Sequence, residues 1–386
     1  MRNFLVILMW ILVVQGVVSQ TAPTTYFKKP DKLRDGIRTT SLKKVQLDEN
    51  IIRSMQDSIL SGAYKNIHSV LILRHNKLVY EKYFPGDDVI RGRGAVGTVD
   101  HHLDSLHDIR SVSKSITGAA VLIAMGQGKI KSPDQRLFDF FPAYTRYDTG
   151  TKRGITLSHL MNMSAGIEWD EEISYADTTN SERRMNNSSN TIDFVLSQKM
   201  TDIPGKRFNY SGGCSQLLAG IVENSTGMQV DKFTEEYLFK PLGITAYTWV
   251  KNRDGKPSAA SGLRMRSRDI AKFGLLFLNQ GKWKGKQIIP ASLVSQTLKS
   301  QISTPYFDES YSMGYSNQFW MLTEIIGGKE VSWVQCQGNG GQIILIDYNF
   351  DLVFVITAGN YNLGDLKKSS WDFYLDFIYP ALSPLN

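Results

Sequence analysis

The sequence predicts an α+β fold: an antiparallel β-sheet flanked by N- and C-terminal helices, with an inserted, mostly helical lobe. Three observations predict it. Strand-like apolar runs lie near both ends of the chain, the long stretch between them reads as short helices and loops, and amphipathic helices stand before the first strand and after the last. With 386 residues the chain can bury a large core, and a hydrophobic share of 42% against 21% charged is that of a globular protein.

Leu47, Ile51, Ile52, Met55 and Ile59 recur at helical spacing and predict the first amphipathic helix. A hairpin follows, with an apolar run over 69–73, a turn at Arg74-His75-Asn76-Lys77 and a second strand over 78–84. The glycines and charges between Gly86 and Asp104 read as loop. From Ser111 the pattern is strongly helical, through Ile116, Ala119, Val121 and Ile123, and it closes at Gly126 and Gly128. That helix is apolar almost all round, so it should be buried. Short helices are expected over 155–161 and 215–222 within the lobe, and a longer one over 267–278. Strands over 342–347 and 352–357, joined by Tyr348-Asn349-Phe350-Asp351, and a last helix over 371–379 complete the pattern. The N-terminal hairpin is expected to join these last strands in one sheet. No repeat of fixed period occurs, which excludes a solenoid or propeller.

The first residues carry an address. Arg2 precedes an apolar run over 4–14, then Gly16, Val17, Val18 and Ser19. This is the order of a signal peptide over 1–19, cut after Ser19, and the run of about eleven residues is too short for a membrane span. An exported protein, periplasmic or secreted and without stable membrane insertion after cleavage, is therefore expected. Residues 20–40 read as a flexible tether, and 41–386 as one folded domain. Cys214 and Cys336 are the only cysteines, and isolated ones are expected as buried thiols in preference to a bridge. The net charge of +7 comes from scattered pairs such as Lys43-Lys44 and Arg183-Arg184, with none of the clustering that nucleic acid requires.

The chemistry gathers at Ser111-Val112-Ser113-Lys114. Residues three apart share a helix face, so the Ser111 hydroxyl and the Lys114 amine can meet. A serine hydroxyl needs a base, and a lysine serves as one only where burial or another cation lowers its pKa. The apolar helix behind Lys114 is expected to supply that desolvation. The helix start also favours developing negative charge at Ser111. Tyr210, in Tyr210-Ser211-Gly212, is the second candidate, since a phenol near an ammonium can act as base and later as acid. The third segment is Gln337-Gly338-Asn339-Gly340-Gly341-Gln342, whose glycines allow close backbone approach to a substrate.

Together these segments resemble the beta-lactamase-like serine hydrolases of the penicillin-recognising fold, in their class C-like branch of esterases, peptidases and 6-aminohexanoate-dimer hydrolases. Leu160-Met161-Asn162-Met163-Ser164-Ala165-Gly166, Lys240-Pro241-Leu242-Gly243-Ile244 and Arg268-Asp269-Ile270-Ala271-Lys272-Phe273-Gly274 add to the likeness, in the family's order. The resemblance implies Ser111 as nucleophile, Lys114 and Tyr210 as proton-transfer partners, and an oxyanion site from backbone at Ser111 and at Asn339 or Gly340. It implies neither a metal nor an organic cofactor, and its partner is a small-molecule ester or amide. Trp169, Tyr175 and Gly338 are candidate substrate contacts, while the carboxylates around Glu168, Asp170 and Glu171 read either as receivers of a substrate amine or as a solvated acidic loop. Two departures stand out. Gly212 occupies a position that is often Asn in the family, and Gln337-Gly338-Asn339-Gly340 replaces Lys-Thr-Gly or His-x-Gly, which turns the expected substrate from penicillins toward esters or amides.

Other readings have distinct signatures. A beta-lactamase, a D-amino-acid peptidase or an acyltransferase would use the same acyl-enzyme, and a binding protein would keep the pocket without the chemistry. A Ser-His-Asp hydrolase is disfavoured, because Asn162-Met163-Ser164-Ala165-Gly166 lacks the first glycine of a nucleophile elbow. His101-His102 and His107 have no partner at metal-ligand spacing, so no metal site is expected.

Overall fold

A computed structural model describes residues 26–363 and 368–382. The expected signal peptide lies outside these residues. Among them, no helix is long and apolar enough to cross a membrane.

One nine-stranded sheet carries the fold. Its strands lie in the order Arg38–Thr39, Lys77–Tyr83, Ile67–Arg74, Leu352–Ala358, Gln342–Asp347, Lys329–Gly338, Phe319–Ile326, Tyr311–Ser316 and Ile302–Phe307. All neighbours are antiparallel except the first pair. The N-terminal hairpin thus joins the C-terminal strands, with Ile356 opposite Val70 and Val355 opposite Leu71. His75 and Asn76 take φ of 52° and 58°, the left-handed pair that a two-residue hairpin turn requires.

The central strands are buried on both faces, and their alternation divides two cores. Leu71, Leu73, Ile344, Ile346, Val353 and Val355 face the helix Ser267–Leu278 and the helical lobe. Val70, Ile72, Ile343, Leu345, Phe354 and Ile356 face the terminal helices, against Ile52, Met55, Phe373 and Ile378. Asp48 caps the first of these helices, Glu49–Leu60, by accepting from Asn50 N and Ile51 N. In the lobe, the helix Val112–Gly126 packs on the helix Gly212–Thr226, and both are buried over nearly their whole length.

Three expectations need correction. Residues 85–100 form a hairpin, Pro85–Ile90 against Gly94–Asp100, where loop was expected. The region 302–338 forms four strands, whose half-exposed faces gave no continuous apolar run. The described part of the expected tether is packed on the domain, with Phe27 and Ile37 buried and Arg38–Thr39 paired in the sheet.

Candidate active site

Ser111 stands where a strained backbone turns into a helix. Ile109 is fixed by its N–H donating to Leu263 O, 3.1 Å away, and Arg110 takes a φ of +48°, rare for a bulky residue. The Arg110 guanidinium lies 4.3 Å from the Tyr361 ring centroid and 3.6 Å from Asp108, which hold this turn. The helix Val112–Gly126 then begins. Its polar residues are satisfied: the Ser113 hydroxyl accepts from Leu263 N, and the Ser115 and Thr117 hydroxyls donate to Gln318 O and Ala259 O.

Lys114, only 1% exposed, points back to the serine. Its ammonium donates to Ser111 Oγ at 3.2 Å, to Glu171 Oε1 at 3.0 Å and to the Ala260 carbonyl at 3.3 Å. A second carboxylate, Glu182, lies 3.9 Å away. Here the expectation of a base-like lysine fails. Burial alone would lower the Lys114 pKa, but Glu171, Tyr210 and Glu182 outweigh it and raise the pKa above its ordinary value. Its surroundings favour the charged ammonium.

Glu171 is the residue that sequence reasoning missed. The loop expected as solvated turns inward here: Glu168, Asp170 and Glu172 are exposed, while Glu171 is buried. Its Oε1 accepts from Lys114 and from the Tyr175 hydroxyl at 2.9 Å; its Oε2 accepts from Trp169 Nε1 at 2.8 Å and from Gly212 N at 2.5 Å. Burial and the neighbouring Glu182 carboxylate push its pKa up, while the Lys114 ammonium and the Gly212 N–H draw it down. Glu182 is held down to about 2 against its burial by Lys114 and Arg91. Gly212 makes room for this arrangement, since a Cβ there would stand 3.0 Å from Glu171 Oε2 and 3.0 Å from Ala260 Cβ.

Tyr210 completes the group. Its ring centroid lies 4.7 Å from Lys114 Nζ, and Ser111 is among the groups that act on its hydroxyl. Burial raises its pKa and the Lys114 charge draws it back, with a net rise. The ring stacks on Trp320 at 5.5 Å and contacts Tyr315.

The glycine-rich segment arrives from the sheet. A Cβ at Gly338 would stand 2.3 Å from Ile109 O, so only glycine lets this strand end press against the chain just before Ser111. Asn339 and Ser111 line one cavity of about 620 Å³, together with Tyr175. Gly338 and Gly340 line a second, of about 370 Å³, which shares Tyr175 and Asn339 with the first. The Asn339 side chain is held by Asn362, accepting from its N–H at 2.8 Å. Trp169 lines neither cavity; it packs behind the site against Gly213 and orients Glu171. Cys214 and Cys336 are free, buried thiols, each pushed up to about 12 by burial. His101 and His107, set aside for their spacing, are brought together by the fold with His68.

Residues 47–369 match the Beta-lactamase family. The chain belongs to the beta-lactamase-like serine hydrolases. It is 25% identical over 320 residues to a 6-aminohexanoate-dimer hydrolase from Paenarthrobacter ureafaciens, covering 78% of this chain and 72% of the relative. It is 26% identical over 230 residues to Protein flp from Staphylococcus aureus (strain MRSA252), covering 59% of this chain but only 43% of flp. The solved structure of EstCE1, a hydrolase with promiscuous acyltransferase activity, superposes with a TM-score of 0.67 at 14% identity, over 89% of this chain and all of that one. That last likeness concerns the fold.

Proposed function

We infer that this family member hydrolyses a small ester or amide through an acyl-enzyme on Ser111. The observation that carries the reading is the Lys114 ammonium, 3.2 Å from Ser111 Oγ and locked by a carboxylate and a carbonyl on its other side. With Lys114 a permanent cation, the base is Tyr210 as its phenolate, stabilised by the charge beside it. Tyr210 takes the hydroxyl proton as Ser111 Oγ bonds the substrate carbonyl carbon. The oxyanion is met by backbone N–H groups of Ser111 and the segment at Asn339 and Gly340. Tyr210 then returns the proton to the departing alcohol or amine. Water, activated by the same phenolate, releases the acid.

The hydrolase names of the relatives support this reaction class, and transfer of the acyl group to an alcohol or amine is a second outcome open to the same intermediate. Export through the N-terminal segment is proposed with it, and the side chains on the cavity rim suggest an acidic substrate. Arg183 and Arg253 stand there with backbone carbonyls as their hydrogen-bond acceptors. Fluorophosphonate labelling followed by peptide mapping tests the nucleophile. Label on Ser111, abolished in Ser111→Ala together with about a thousandfold or greater loss of esterase rate, is expected. Label on another serine, or equal labelling of the variant, would sink the assignment.

A further inference from the structure

We propose that His68, His101 and His107 form a binding site for one divalent transition-metal ion of the zinc type. The site is separate from the Ser111 chemistry and does not depend on the acyl-enzyme reading.

The three residues come from different places. His68 lies on the strand Ile67–Arg74, His101 follows the strand Gly94–Asp100, and His107 lies on the strand Leu106–Asp108. All three are buried, and they offer ligand nitrogens that lie within 4.8 Å of one another. The rings of His68 and His101 stack at 3.8 Å, and His107 lies 4.9 Å from His101.

Their nitrogens are the telling feature. A buried polar atom without a partner costs about 1–3 kcal/mol, so such atoms are rare singly and rarer in groups. Here Nδ1 of His68 and both ring nitrogens of His107 have no hydrogen-bond partner, and His101 has only the Gly86 carbonyl nearby, without a well-formed bond. A cation would take one lone pair from each ring. His68 is already set for this: its Nε2 lies 3.0 Å from the Asp87 carbonyl, which fixes the proton on Nε2 and leaves Nδ1 as the free donor atom. That second-shell carbonyl is the usual companion of a metal-bound imidazole. The His68 ring cannot swing outward, because Gly86 and Gly359 press on it so closely that a Cβ at either would stand within 2.7 Å of ring atoms.

Asp88 is buried beside His68 and His101 and offsets the cation's charge; Arg264, 3.9 Å from Asp88, acts on His101 and His107 in the opposite sense. Three imidazoles suit zinc, nickel or copper better than calcium or magnesium, and leave a fourth position for water. Zinc–nitrogen bonds of about 2.0–2.1 Å require the rings to tilt and the nitrogens to draw together. The ion would then tie the sheet to the hairpin Pro85–Ile90/Gly94–Asp100, whose Val89, Ile90 and Arg91 wall the cavity beside Ser111.

The test uses the full folded protein, freed of metal by chelator and titrated with Zn²⁺ alone and with Co²⁺ alone. One equivalent of Zn²⁺ bound, a raised Tm, slower hydrogen exchange over residues 85–107 and the visible absorption bands of low-symmetry Co²⁺ are expected. His101→Ala and His107→Gln should each lower the affinity at least tenfold, whereas His159→Ala, far from the cluster in sequence, should leave it unchanged. Absence of Co²⁺ bands and of any Tm shift in the unaltered protein would overturn the proposal, whatever the variants do. So would stoichiometric binding that survives both substitutions.

Discussion

Replacing Glu171 by glutamine keeps the side chain's size and exchanges one of its two oxygens for an NH₂. Each native oxygen accepts from two donors, Lys114 and Tyr175 on one side and Trp169 and Gly212 on the other. An amide has one oxygen and one NH₂, so in either orientation the NH₂ faces a pair of donors. A buried donor left without its acceptor costs about 1–3 kcal/mol. Breaking a buried ion pair from one side costs about 3–5 kcal/mol, and these two terms overlap. Glu182 remains 3.9 Å from Lys114, which places the loss toward the lower end, at about 3–4 kcal/mol. At roughly 2 °C per kcal/mol for a chain of this length, Tm should fall by about 6–8 °C. Thermal unfolding followed by circular dichroism reads this, with Glu168→Gln as the exposed control expected within about 0.5 kcal/mol of the parent. The rate should respond too. With its nearer carboxylate gone, burial lowers the Lys114 pKa, and the cation beside Tyr210 is lost at a lower pH than in the parent. A Glu171→Gln protein that melts within about 1 °C of the parent and keeps its pH–rate profile would refute the claim that Glu171 holds Lys114.

Gly212→Asn alone should destabilise by about 1–3 kcal/mol, because its Cβ would crowd Glu171 and Ala260. Combined with Glu171→Ala it should cost less than the sum, by about 0.5–3 kcal/mol in denaturant unfolding; simple additivity would contradict the packing argument. Because the phenolate is the reactive form and the Tyr210 pKa lies above its ordinary value, kcat/KM for an ester should climb steadily with pH from about 7 to 9. Lys114, also raised, stays charged throughout, so a profile that is flat or falls over that range would remove Tyr210 from the role of base. Cys214 and Cys336 should resist a thiol reagent in the native protein and react together on unfolding, since both are buried with their pKa near 12. Rapid labelling of either in the folded state would show that the helix Gly212–Thr226 or the strand Lys329–Gly338 opens more readily than its packing implies.

The fold was legible where burial is two-sided. The strands Ile67–Arg74, Gln342–Asp347 and Leu352–Ala358 are apolar at successive positions because both faces are covered, and such runs stand out against any background. The strands from Ile302 to Gly338 interleave Glu324, Lys329, Glu330 and Ser332 with their apolar positions, and the pattern weakens with exposure. The hairpin after Pro85 hides for the same reason: Gly94–Asp100 is exposed along nearly its whole length, so no apolar period marks it. The N-terminal segment before residue 41 was misread because its anchoring groups, Phe27 and Ile37, are single residues among Lys, Pro and Asp.

The site divides along a physical line. Ser111 and Lys114 are three residues apart on one helix, so local geometry forces their encounter and the sequence displays it. Glu171 reaches Lys114 across a separation of 57 residues through a loop, and nothing local distinguishes it from Asp170 or Glu172. Yet one trace was present. A glycine where the family often carries Asn leaves a gap beside the lysine, and a buried ammonium cannot face a gap. Something charged or polar had to fill it from elsewhere in the chain. The Glu171 carboxylate does so, taking the Gly212 N–H directly, at a spot a side chain at 212 would have closed. The departure at Gly212 and the misread acidic loop are therefore one accommodation seen from two ends. In the proposed mechanism the same carboxylate favours the charged form of Lys114, so that proton transfer falls to Tyr210.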